Sequence, residues 1–194
     1  MKIDQISDTL IRVEQYALSV LPAMRYQHSK RVAELACSLC TKFSLDGEAG
    51  YLAGIAHDMC KVAKDRLLFS LVSRDGMANS SIEIQKPSLL HGRAAAVLLE
   101  SEFGVTSISV LNAVRFHTFG SPDLDDFGMI VFVADKIEPG RSEISSEYRK
   151  ELMEMSIRDM TRVVVEDNIR FLQSKGKHVS EHTLAFLQKL GGET

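Results

Sequence analysis

Residues 3–20 read Ile3-Asp4-Gln5-Ile6-Ser7-Asp8-Thr9-Leu10-Ile11-Arg12-Val13-Glu14-Gln15-Tyr16-Ala17-Leu18-Ser19-Val20, and within them Ile3, Ile6, Leu10, Val13, Ala17 and Val20 recur at alternating spacings of three and four. That period puts one apolar stripe on an amphipathic helix, which Pro22 stops. The same pattern governs the rest of the chain. A second helix is expected over about Met24 to Phe43, with Val32, Leu35, Ala36, Leu39 and Phe43 inward, and a third from near Glu48, with Leu52, Ile55 and Ala56 inward. Helical spacing returns over Leu90 to Phe103, Ile108 to His117 and Phe127 to Ile137, punctuated by Gly104, Gly120-Ser121-Pro122 and Pro139-Gly140. Two or three more helices are expected over Ser145 to Leu190. Between them, Asp65 to Pro87 carries apolar residues only in short bursts. It reads as a short helix followed by a mobile loop, and Arg74 to Pro87 is expected to form a lid.

Alternating strand-like runs with hairpin signals are missing, and the one β-branched cluster, Val163 to Val165, lies in a helically patterned stretch. The class is therefore all-α, as one compact helical domain over residues 1–194. Its core spans about 25–141, and an N-terminal helix (3–21) and C-terminal helices (145–190) pack on it. With 23 Lys+Arg against 26 Asp+Glu, the chain carries a net charge of −3, which excludes a general attraction to nucleic acid or anionic membrane. No apolar run is long enough to span a bilayer, and the N-terminus lacks a signal-peptide pattern. Three cysteines make no disulfide framework and suit a reducing cytoplasm.

Four of the six histidines, His28, His57, His91 and His117, fall on inward stripes of separate predicted helices. One such ring is ordinarily a core histidine bonded to a backbone carbonyl. Four in one small core must each be desolvated and hydrogen-bonded, a cost that a shared metal would offset. Asp58, directly after His57, and Asp135, at the end of Ile130-Val131-Phe132-Val133-Ala134, add two inward carboxylates. No neighbouring Lys or Arg other than Lys136 is expected to turn inward, so coordination best explains them. A His/Asp set without thiolate suits zinc, manganese, iron, cobalt or nickel alike.

His28, the doublet His57-Asp58 and Asp135 resemble the pattern of the HD-domain phosphohydrolases. His91 in Leu90-His91-Gly92, His117 in Arg115-Phe116-His117-Thr118, and Asp135-Lys136-Ile137-Glu138-Pro139-Gly140-Arg141 make the chain similar to the YqeK subfamily. Members of that subfamily are symmetrical diadenosine tetraphosphate hydrolases. The likeness runs from about Arg25 to Asn168-Ile169-Arg170-Phe171-Leu172; Cys60, Phe119 and Met129 depart from it without removing a ligand position. The resemblance implies an HD-domain fold and two divalent ions, preferably iron. One ion would be held by His28, His57, Asp58 and Asp135, the other by His91 and His117 with Asp58 bridging. It also implies attack of a metal-bridging hydroxide on a phosphorus within the tetraphosphate, giving two ADP, with Asp58 and Lys61 as catalytic residues. Lys61, Arg115, Thr118 and Arg141 are the expected substrate contacts, among further cations at Lys64 and Arg66. The expected partner is a nucleotide, with an ADP- or GDP-like product; neither nucleic acid nor membrane is expected, and a homodimer is left open. The alternatives are another HD-type nucleotide phosphohydrolase, such as a nucleotidase or a cyclic-nucleotide or guanosine-tetraphosphate hydrolase, and a non-catalytic nucleotide-binding regulator.

Three features carry less. Cys37-Ser38-Leu39-Cys40 has CxxC spacing but sits within a helix without a second pair, so packing explains it. His178 and His182 flank a turn without a nearby acid and read as exposed. The eight methionines read as packing filler.

Overall fold

The computed structural model describes the backbone of residues 3–192 and the side chains of residues 8–192. Eleven α-helices follow one another among these residues: α1 Ile3–Val20, α2 Ala23–Lys42, α3 Gly47–Ala56, α4 Asp65–Val72, α5 Ser81–Gln85, α6 His91–Phe103, α7 Ile108–Phe116, α8 Asp126–Ile137, α9 Ser146–Met153, α10 Ile157–Ser174 and α11 Glu181–Lys189. There is no strand among the described residues. Among the described residues no helix is long and apolar enough to cross a membrane. The inward placement expected of Ile3 and Ile6 lies outside the described side chains, whereas Val13 and Ala17 of the same stripe are fully buried.

Local sequence sets the ends of these helices. Asp46, Asp125, Ser145 and Ser156 each accept a hydrogen bond from a backbone N–H of the first turn of the helix that follows. Gly104 closes α6 with φ of 69°, in the left-handed region where a Cβ is unfavourable. Val163 to Val165 lie within α10, as their helical surroundings implied.

α8 is the central rod: Phe127, Gly128, Ile130 to Asp135 and Ile137 are all buried, so it meets neighbours on nearly every side. α2, α7 and α10 pack on it, α3 lies between α2 and α7, and α6 packs on α7. The α2–α3 pair is held close by Gly54, where a Cβ would come within 2.5 Å of the Ala33 Cα. At the other end, α11 inserts Phe186, whose ring meets Phe132 of α8 edge-on at 5.5 Å, and the Thr183 hydroxyl donates to the Phe119 carbonyl.

The segment expected to be a loop is partly helical. Ser80 and Glu83 form a capping box that starts α5, and a 3-10 turn, Pro87–Leu90, leads into α6. Arg93, 5% exposed on α6, anchors the whole stretch. Its guanidinium donates to both oxygens of Asp75 at 2.8 and 2.9 Å, to the Met77 carbonyl at 2.9 Å, to Asn79 Oδ1 at 3.0 Å and to Glu83 at 3.3 Å. A buried charge with this many acceptors converts an apolar-poor segment into a fixed strap. Helical spacing had no means of announcing it.

Candidate metal centre

Each of the six expected ligands is buried: His28 (α2), His57 and Asp58 (directly after α3), His91 (the first residue of α6), His117 (directly after α7) and Asp135 (α8). Three helix ends and two helix bodies thus converge on one point. His57, Asp58 and His28 form one group whose ligand atoms lie within 4.8 Å of one another; so do His57, His117 and Asp135, and Asp58, His91 and His117. His28 Nε2 is 3.1 Å from Asp135 Oδ1, and His91 Nε2 is 3.0 Å from Asp58 Oδ1. His57 Nε2 lies 3.8 Å from Asp58 Oδ2 and 3.7 Å from Asp135 Oδ1. Gly92 allows this approach, since a Cβ there would stand 2.9 Å from His117 Cε1.

The hydrogen bonds on the far side of each ring decide the tautomers. His57 Nδ1 meets the Gly54 carbonyl at 2.6 Å, His91 Nδ1 the Ser88 carbonyl at 2.7 Å, and His117 Nδ1 the Val114 carbonyl at 2.8 Å. A carbonyl only accepts, so each Nδ1 carries a proton and each ring turns its Nε2 toward the cluster. Burial pushes the His117 imidazole down to about 3 and lowers that of His57 as well, so both are neutral at pH 7. The Nε2 atoms of His91 and His117 are nevertheless only 2.9 Å apart, and His57 Nε2 is buried without a partner. Converging lone pairs and an orphaned ring nitrogen, beside two carboxylates, are the donor set of a divalent metal site. The residues fit such an ion.

The carboxylates are not as isolated as the sequence suggested. Asp58 receives Arg25 Nη1 at 3.2 Å and has Lys61 Nζ at 3.5 Å; Asp135 receives Lys136 Nζ at 2.6 Å and Arg141 Nη2 at 3.1 Å. The expectation that only Lys136 turns inward is thus corrected: long side chains from adjoining turns reach the cluster although their Cα positions lie off its face. Burial would raise the Asp58 carboxyl, but the imidazoles of His57, His117 and His91 and the Lys61 ammonium outweigh it and hold it well below the usual range. The Asp135 carboxyl is held low in the same way, by Lys136 and His28 against burial. Burial depresses the Lys61 ammonium, with the Asp58 and Asp135 carboxylates opposing.

The expected substrate contacts separate into two groups. Lys61 Nζ is 3.0 Å from His91 Nε2, Thr118 Oγ1 is 3.3 and 3.4 Å from the Nε2 atoms of His117 and His91, and Arg141 holds both the carbonyl and the carboxylate of Asp135. These three border the cluster. Arg115 does not reach it: its Nη1 donates to Asn112 Oδ1 at 2.7 Å, and it lines a narrow recess with Phe119 and Thr118. Lys64 and Arg66 are exposed beyond it. Cys37 and Cys40 are free thiols, and His178 and His182 are exposed.

Two contributors escaped the sequence reading. Glu138, 2% exposed, accepts from His28 Nδ1 at 3.1 Å, from Arg31 Nε at 2.5 Å and from the Gly140 N–H, so it orients the fourth ring as carbonyls orient the other three. Burial would raise its carboxyl, but the Arg31 and His28 hydrogen bonds bring it down to about 2. Its place three residues after Asp135 was the available signal. Arg25 was signalled only by lying three residues before His28 on one helix face. Together Arg25, Arg31, Lys61, Lys136 and Arg141 surround Asp58, Asp135 and Glu138, so positive charge exceeds negative before any metal is counted.

Residues 25–140 match the family model described as HD domain. The chain is 34% identical over 131 residues to a symmetrical bis(5'-nucleosyl)-tetraphosphatase of Staphylococcus aureus, covering 68% of this chain and 67% of that protein. It is 30% identical over 166 residues to a protein of the same name from Halalkalibacterium halodurans, covering 86% and 88%. A Clostridium acetobutylicum crystal structure, described as a predicted HD superfamily hydrolase involved in NAD metabolism, superposes with a TM-score of 0.85 at 27% identity, over 92% of this chain and 95% of that one.

Proposed function

The chain belongs to the HD-domain family, and from that premise we propose that it hydrolyses dinucleoside tetraphosphates at their midpoint. One water is consumed, one bond to the central bridging oxygen breaks, and two nucleoside diphosphates leave. The observation that carries this reading is the convergence of four histidine rings and two carboxylates beside an excess of lysine and arginine. The names of the two tetraphosphatase relatives, one matched over 88% of its length, support the substrate.

His28, His57, Asp58 and Asp135 would hold one divalent ion, and His91 and His117, with Asp58 shared, a second. Two such ions, preferably iron, would acidify a water near neutral pH and offset the charge growing on the attacked phosphoryl group. The chain's own cations do the rest. Arg25, Lys61 and Arg141, each paired with a cluster carboxylate, stand where phosphate oxygens would replace or share those pairings. Thr118 offers a hydroxyl beside His91 and His117. The free thiols of Cys37, Cys40 and Cys60 accord with a cytoplasmic enzyme.

The test is anaerobic hydrolysis of diadenosine tetraphosphate with ferrous iron, products resolved by chromatography, with Asp58→Ala in parallel. ADP as sole product, lost in the variant, is expected. Release of ATP and AMP, or turnover that survives in the variant, would refute the reading.

A further inference from the structure

A cavity of about 380 Å³ opens beside the cluster, lined by Lys136, Ile144, Tyr148, Asn168, Phe171 and Arg141 among others. Two of its walls also belong to the centre: Lys136 Nζ is 2.6 Å from Asp135 Oδ2, and Arg141 Nη2 is 3.1 Å from Asp135 Oδ1. A molecule gripped by its phosphates at the cluster therefore has its next atoms at the mouth of this cavity. The volume is that of a small-molecule site and suits one nucleoside.

The lining chemistry is mixed in a telling way. Ile137 and Val164 are buried apolar floor, while Phe171 is 50% exposed, the one aromatic among the nine large apolar side chains exposed among the described residues. A half-exposed ring at the rim of an apolar cavity offers a face on which a planar base can stack. Asp167 is already engaged, accepting the Tyr148 hydroxyl at 2.6 Å and pairing with Arg170. Glu143, also in the lining, can only accept as a carboxylate, so the Asn168 amide, one turn before Phe171 in α10, is the group that can present both a donor and an acceptor to a base edge.

We propose that the cavity between α8, α9 and α10 seats one nucleoside of a nucleotide whose phosphates lie at the histidine–aspartate cluster, the base stacked on Phe171 and its polar edge met by Asn168. The proposal rests on the nucleotide-hydrolase reading and adds to it a place for the base.

Calorimetric titration of ADP and of inorganic pyrophosphate into the iron-loaded full chain tests it. Phe171→Ala is expected to weaken ADP binding about tenfold or more while leaving pyrophosphate within twofold, Asn168→Ala to weaken ADP selectively, and Phe171→Tyr to restore wild-type affinity. Equal losses for both ligands, no loss for either, or no ADP binding by the wild type would overturn it. The two readings fail separately. Selective ADP loss without tetraphosphate hydrolysis keeps the cavity and removes the reaction, whereas symmetrical hydrolysis with unchanged ADP affinity in the variants does the reverse.

Discussion

His91 shows at single-residue scale how the centre is defined. Its Nδ1 is held by the Ser88 carbonyl and its Nε2 faces His117 and Asp58, so His91→Ala should remove an ion held with Asp58 and His117 and spare one held by His28, His57 and Asp135. We expect bound metal to fall from two to one per chain by elemental analysis; an unchanged count would refute the second position. Glu138 supports the other side of the centre, and its loss should weaken metal binding roughly 10–100-fold. It also carries a pH signature. Its carboxyl sits at about 2 in the fold, below the roughly 4.3 of an unfolded glutamate, so its stabilisation is complete above about pH 5 and fades as pH falls toward 2. The melting temperatures of wild type and Glu138→Gln should therefore differ most near pH 6 and converge on acidification; a gap that widens in acid would contradict this assignment. The convergence of these six side chains was legible in the sequence because inward histidines and acids are rare and the four histidines fell on apolar stripes. Arg25 and the reach of Arg141 were not, because the direction of a long flexible side chain is decided by neighbours that periodicity does not identify.

Among the elements, α3 and the strap from Asp75 to Lys86 respond to opposite kinds of change. α3 lies against α2 at Gly54, and Gly54→Ala would press a methyl onto the Ala33 backbone while displacing His57 three residues on. A loss of about 1–3 kcal/mol with weakened metal binding is expected from denaturant titration. Arg93→Ala would leave Glu83, 4% exposed, without its cation and cost about 3–5 kcal/mol. Amide exchange should then accelerate over 75–86, and a strap that stays protected would show that Arg93 does not anchor it. Most of the helices were readable because each has a buried stripe of its own. α5 was not: five residues with one buried side chain, Glu83, carry no stripe, and a single arginine from α6 supplies the order.

At the scale of the whole molecule, stability is expected to depend on the C-terminal end and on metal binding. α11 reaches back to α8 through Phe186 and to the turn after His117 through Thr183, so Phe186→Ala should cost about 3–5 kcal/mol and loosen the His117 side of the centre. Ions bound only by the folded chain raise its stability by about 2.7 kcal/mol at a hundredfold excess over Kd, which for this length is roughly 5–10 °C in melting temperature, removed by a chelator. Three of the four rings take their tautomer from the carbonyl three residues earlier: His57 from Gly54, His91 from Ser88, His117 from Val114. Each ring is thereby preset within its own turn. Insertions or deletions in the connecting segments can reshape what is bound while these nitrogens stay in place, so new specificities can be grafted onto this scaffold through its linkers without redesigning the chemistry they serve.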